Sequence, residues 1–198
     1  MKYFIYGSKD FALVLRDFLE SQKKEFCGFI DDFATGEEFV GSFAKVIQEY
    51  DPEQYEIVLG IGYKNLSARW NIFKKIKVAG FNVATLIHER AYVRDLKNVG
   101  EGSIVMANSC VDCNAVLDKA VVLWPGTVVN HDSRIGENSF LSPNSTICGF
   151  VSIGKNTFVG AGATVVDHQI FAANSFVKAG SLAMHNPEKM GGSSIWKK

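Results

Sequence analysis

The sequence predicts two architectures in succession: a small α/β domain built on a parallel sheet over residues 1–88, then a parallel β-helix over residues 89–182, with a tail at 183–198. Three observations carry this expectation. Strand-like apolar runs alternate with helical patterns in the first 88 residues, which is the order that builds a parallel sheet. From Val99 to Leu182 the period changes to six and never slips. Within each six, one place favours residues that tolerate a positive φ, as a tight corner requires.

The first domain reads element by element. KYFIYG (2–7) is a buried strand, and residues 10–24 carry Phe11, Val14, Leu15, Phe18 and Leu19 at helical spacing. EFCGFIDD (25–32) is a second strand ending in two carboxylates, followed by a weaker helix over 42–50. YEIVLGIG (55–62) is a third strand that ends in glycines. An amphipathic helix over 65–80 has Asn65 as N-cap and Gly80 as stop, and FNVATLIH (81–88) reads as a fourth strand. Ligands of such a sheet bind beyond the carboxyl ends of its strands.

The second region divides into fourteen hexads, from VGEGSI to VKAGSL. The first position is Val, Ile or Leu in thirteen of the fourteen, Phe171 being the exception, and the fifth is small in all but Gln169. The fourth is Gly, Asn or Asp in eleven. An inward aliphatic, an inward small residue and a corner make a short strand and a turn. The six-residue repeat is the mark of a parallel β-helix, in which each coil covers the apolar edge of the last.

Lys+Arg and Asp+Glu are both 21, which argues against a nucleic-acid or anionic-membrane footprint. The N-terminal apolar run is too short for a secretory signal, and no segment approaches the roughly 18 apolar residues of a membrane span. A soluble cytoplasmic protein is expected. The four cysteines are too scattered for a disulfide framework. Cys110 and Cys113 form a C-x2-C without the second pair that a zinc ribbon needs, so no metal is expected.

The hexads resemble those of the left-handed β-helix acyltransferases. The whole chain is similar to sugar acetyltransferases of the PglD/NeuD type, in which a small Rossmann-like domain precedes the β-helix. FIYGS, FIDDF (29–33), LGIG (59–62), LIH (86–88) and above all residues 128–165 carry the likeness. The resemblance implies acetyl-CoA as co-substrate, an amino or hydroxyl group of a sugar as acceptor, commonly a nucleotide-linked amino sugar, and a homotrimer with sites between neighbouring helices. It also implies a coil of 18 residues, which stacks His131 between Cys113 and Gly149.

In the family a His followed by an acidic residue, more often Glu, occupies the place of His131 and Asp132. The resemblance therefore assigns His131 as general base, Asp132 as its orienting partner and Gly149 as the oxyanion or cofactor contact. An amine must lose a proton to attack a thioester productively, and imidazole is the natural acceptor near neutral pH. A carboxylate on the other ring nitrogen fixes its tautomer. The bland alternative for His131 is a solvated corner residue. His88 and His168 are rivals without the adjoining role, and a three-histidine zinc site lacks a converging arrangement.

Acetyl-CoA is expected along the glycine-lined surface of Gly149, Ala161, Gly162, Ala179 and Gly180. The nucleotide sugar is expected at Gly7, Ser8, Asp31, Asp32, Gly62, Trp124 and Phe140. Asp31 and Asp32 suit a ribose or base, or else the capping of a turn. GSKDFA (7–12) stands where relatives have a Gly-His-Gly element, and Trp124 and Phe140 where they often carry polar residues. Two alternatives remain open: O-acetylation of a sialic-acid-like sugar, and a β-helix protein that binds a nucleotide sugar without turnover. Lys189 and Lys197 in the tail are candidates for the CoA phosphates.

Overall fold

The computed structural model describes residues 1–184, so Lys189 and Lys197 lie outside the described residues. Five parallel strands form the first sheet: β1 (Lys2–Tyr6), β2 (Glu25–Ile30), β3 (Phe39–Gly41), β4 (Tyr55–Leu59) and β5 (Asn82–Val83), in the order β3-β2-β1-β4-β5. Helices α1 (Asp10–Ser21), α2 (Phe43–Glu49) and α3 (Leu66–Val78) connect them. Alternate strand residues face opposite ways. Tyr3, Ile5, Phe29 and Val58 pack on α1, whereas Phe4, Tyr6, Ile30, Ile57 and Leu59 pack on α2 and α3.

Asn65 caps α3 as expected, its side chain accepting from the Ala68 N–H at 2.9 Å. Two expectations need correction. Val14 is exposed rather than buried on the apolar side of α1. The strand expected over 81–88 is two strands belonging to different sheets. Asn82–Val83 pairs with β4, and Leu86–Ile87 pairs with Ile104–Val105. An unbroken apolar run conceals this change of partner, because the pattern records burial and not the identity of the neighbour.

From Leu86 onward the chain winds through three parallel faces. The first contains Leu86–Ile87, Ile104–Val105, Val122–Leu123, Phe140–Leu141, Phe158–Val159 and Phe176–Val177. The second runs from Tyr92–Val93 through Val128–Val129 to Leu182–Ala183. The third holds Val116–Leu117, Arg134–Ile135, Ser152–Ile153 and Ile170–Phe171. Registers join residues 18 apart, as in Val128 with Thr146. The first-position aliphatics fill the interior. The small fifth position leaves room for a hydroxyl to cap a neighbouring carbonyl, as Ser133 does on Cys148 O at 2.7 Å.

Every fourth position from Gly102 to Gly180 has positive φ, between 55° and 76°. That includes Ala120 and Phe150, which are poor residues for this conformation, and His168, which tolerates it better. The first domain docks on the first face of the β-helix. Phe11, Leu15 and Phe18 of α1 share a cluster with Leu86, Ile104, Met106, Val122 and Phe140. At the corner between the third and first faces, the buried Arg69 of α3 donates to Ala120 O and to Asn138 Oδ1, both at 2.6 Å. The small Ala120 is explained by this contact, since it lies buried within the cluster that contains α3.

Candidate active site

His131 sits on the corner between the second and third faces, between the strands Val128–Val129 and Arg134–Ile135. Its side chain is 45% exposed. Asp132 holds the left-handed corner conformation at φ 57°, which Asp tolerates better than most residues. The turn places Asp132 Oδ2 3.0 Å from His131 Nδ1. Asn114, one coil earlier, donates from Nδ2 to Asp132 Oδ1 at 3.0 Å. The hydrogen bonds from His131 and Asn114 hold the Asp132 carboxyl below the usual carboxylate range. An ionised carboxylate only accepts. Nδ1 therefore carries the hydrogen, and Nε2 is the free basic nitrogen. Nε2 has no hydrogen-bond partner among the described residues.

Gly149 lies one coil beyond and is buried. A Cβ added there would stand 2.7 Å from His131 Cε1 and 2.9 Å from Nε2, closer than carbon contacts allow, so the imidazole occupies space that only glycine leaves. Its N–H donates to no carbonyl among the described residues. Phe150 completes the surroundings, its ring edge-on to His131 at 5.2 Å and 86°. An imidazole held in this way can accept a proton at Nε2, beside a backbone N–H that is available to an oxyanion. Asn114 and Phe150 were not anticipated from the sequence. Their signal is the 18-residue offset from Asp132, which places all three on one corner.

The other expected cofactor residues lie elsewhere. Ala161, Gly162, Ala179 and Gly180 belong to the corner between the first and second faces, with open space beside Gly162 and Gly180. Within one chain they do not meet His131.

The expected sugar residues divide in three. Ser8 Oγ donates to Asp31 Oδ2 at 2.5 Å, and Asp31 Oδ1 accepts from the N–H groups of Phe33 and Ala34 at 2.9 and 3.0 Å. Burial would raise the Asp31 pKa, but those hydrogen bonds outweigh it and hold the group low. Gly7 has φ 107°, and its N–H is committed to Ile30 O at 2.8 Å. Gly62 precedes a turn of 3-10 helix at Tyr63–Asn65 and faces Phe11. These four residues surround the carboxyl ends of β1, β2 and β4.

Asp32 points the other way. Its Oδ2 accepts from Tyr6 Oη at 2.6 Å and from Lys75 Nζ at 3.3 Å, and its Oδ1 accepts from the Phe43 N–H at 2.8 Å. It fastens α2 and α3 to the sheet, on the side away from Ser8 and Asp31. Phe140 is only 2% exposed. It packs among Phe11, Trp124, Tyr63 and Phe158, so it contributes to the seam between α1 and the β-helix rather than to a sugar contact. Trp124 lines the same seam, its Nε1 buried without an acceptor among the described residues.

No group of three or more His, Cys, Asp and Glu side chains suited to a metal ion occurs among the described residues. His88 stacks on Phe18 at 5.3 Å. None of the described helices is long and apolar enough to cross a membrane.

Comparison with known proteins places both halves. Residues 2–76 match the model of the PglD N-terminal domain, and residues 132–167 match that of the bacterial transferase hexapeptide (six repeats). The acetyltransferase domain of PglB from Neisseria gonorrhoeae FA1090 superposes with a TM-score of 0.84 at 24% identity, covering 96% of this chain and 94% of that one. Its complex with acetyl coenzyme A gives 0.85 at 24% identity over 92% and 90% of the two chains. PerB from Caulobacter crescentus, in complex with CoA and GDP-perosamine, gives 0.81 at 27% identity over 92% and 89%. A stretch matching the PglD N-terminal domain thus leads into hexapeptide repeats wound as a left-handed β-helix, and in both halves the chain is similar to acyltransferases of this kind.

Proposed function

We propose that this acyltransferase uses acetyl-CoA to acetylate the amino group of a nucleotide-linked amino sugar, in the cytoplasmic stage of surface-glycan biosynthesis. The observation that carries the reading is the His131–Asp132 pair at 3.0 Å, with an unpartnered Nε2 and the unpaired Gly149 N–H beside it. His131 Nε2 takes the proton of the acceptor amine as the nitrogen attacks the thioester carbonyl. Asp132 stabilises the imidazolium that results. The Gly149 N–H donates to the carbonyl oxygen as its negative charge develops, an interaction worth about 2.7–4 kcal/mol where such donors have been removed. The proton held on His131 is then available to the departing thiolate.

The structures of PerB with CoA and GDP-perosamine and of PglB with acetyl coenzyme A support this choice of substrates. Residues 1–88 would hold the nucleotide through Gly7, Ser8, Asp31 and Gly62. Trp124 would border the acceptor, and the β-helix over 89–182 would supply the chemistry. The homotrimer that the resemblance implies would complete the site. The first domain covers the first face, whereas His131 stands on the opposite edge of the triangular coil. In such a trimer a neighbour would bring its His131 to another chain's sugar. The same packing would bring Ala161, Gly162, Ala179 and Gly180 of one chain alongside the Gly149 of another.

The test is acetyl transfer from acetyl-CoA to a panel of UDP-, dTDP- and GDP-linked sugars, each as the 4-amino and the 4-hydroxyl form. Amino acceptors should turn over and raise the melting temperature together with acetyl-CoA. Turnover of the hydroxyl forms alone would make the protein an O-acetyltransferase. Absence of acetyl-CoA binding would leave a nucleotide-sugar-binding protein.

A further inference from the structure

Fourteen corners of the β-helix adopt the left-handed conformation, and the chain fills six with Asn, four with Gly and one with Asp. Phe150 is the bulkiest residue to occupy one, at φ 57°, a conformation in which a large L-residue is a genuine outlier. Burial does not explain it, since Phe150 is 49% exposed. Its ring lies between two histidines. It meets His131 edge-on at 5.2 Å, and His168 stacks on it face to face at 4.8 Å and 3°. Its backbone is joined to the same histidine, since the Phe150 N–H donates to His131 O at 3.2 Å. Unfavourable backbone geometry that survives without burial to explain it tends to mark a functional site.

We propose that Phe150 is a positioning residue for His131. His168 backs the Phe150 ring, and the ring prevents the imidazole from rotating off Asp132. This inference rests on His131 acting as the base. Asp132 fixes the Nδ1 end and Gly149 leaves the space, but neither blocks rotation of the ring towards solvent on an exposed corner. Phe150 supplies that wall. The flat ring of His168 matches the Phe150 face.

Phe150→Asn gives the test its sign. Asn suits this corner, so a purely structural account of the substitution expects no loss of fold. The melting temperature should hold or rise by about 2–4 °C. The turnover number should nevertheless fall about tenfold, the scale of one aromatic pair, with KM for acetyl-CoA unchanged. Phe150→Tyr, which keeps the ring, should restore it. A long-range 1H–15N spectrum of the full chain reads the hold directly and needs no acceptor. His131 should show the Nδ1–H tautomer in the parent and in Phe150→Tyr, and a mixture in Phe150→Asn, with His131→Asn assigning the signal. An unchanged tautomer and turnover in Phe150→Asn would overturn the proposal. So would a fall in melting temperature that accounts for the lost activity. Full turnover in His131→Asn would instead remove the base itself, while the tautomer measurement would still report on Phe150.

Discussion

Three residues on one corner, Gly149, Asp132 and Asn114, hold the imidazole proposed as the base. Gly149 faces His131 so closely that a methyl group would overlap the ring. Its φ is not in the left-handed region, so alanine strains no backbone there. Gly149→Ala should therefore keep the fold and displace the imidazole, lowering kcat by about tenfold or more, of the order lost when a catalytic group is misplaced. A melting curve beside a kinetic assay separates the two effects. Asp132→Asn keeps a residue suited to the corner and removes only the charge. With no carboxylate on Nδ1 the wrong tautomer becomes available, and kcat should fall by about 100-fold or more. Stopped-time acetyl transfer by the variant, with its melting temperature unchanged, would establish this. Asn114→Ala removes one of the hydrogen bonds that keep the Asp132 pKa low, so that carboxyl should titrate closer to its ordinary value. Carbon-13 NMR of the carboxylate during an acid titration reads the change.

Elements are held by polar rivets as much as by apolar faces. Asn138 on the β-helix corner is fully buried, accepts from Arg69, and donates to Leu66 O at 2.7 Å and to Asn156 Oδ1 at 2.8 Å. Burial lowers the Arg69 pKa to about 9, which leaves it charged at neutral pH. Asn138→Ala would strand that charge with Ala120 O as its remaining acceptor, so the seam should lose about 3 kcal/mol, measurable by urea denaturation. In the first domain, burial alone would raise the Asp32 pKa, but Tyr6, the Phe43 N–H and Lys75 hold it below the ordinary range. Its folded pKa is depressed, so its contribution to stability is present above the unfolded value of about 3.9 and is lost as pH falls through the lower folded value. Asp32→Asn should destabilise α2 and α3 at pH 7 and flatten this acid dependence.

Fourteen in-register hexads expose the β-helix, because each coil repeats the same demand for an aliphatic, a small residue and a corner. Rung spacing could have located Asn114 and Phe150. The opposite directions of Asp31 and Asp32 are invisible in an Asp-Asp pair, since alternation along a strand end depends on where the strand stops. The burial of Phe140 is equally hidden. An aromatic at an outward position reads as a ligand contact until α1 is known to cover that face.

At the scale of the whole molecule, the first domain occupies one face of a triangular coil while His131 stands on the edge opposite it. If the proposed trimer builds each site from two chains, mixed assemblies complement. A chain carrying His131→Asn and a chain with its first-domain loop blocked by Ser8→Trp would each be inactive alone, and together they should recover part of the turnover. No recovery after co-refolding would mean that each chain serves its own site. The most direct test of the central claim is the turnover number of His131→Asn in acetyl transfer to an amino sugar nucleotide. It should fall about 100-fold or more while the oligomeric state, the melting temperature and the affinity for acetyl-CoA match those of the parent. Turnover within a fewfold of the parent would show that the proton leaves the acceptor by another route.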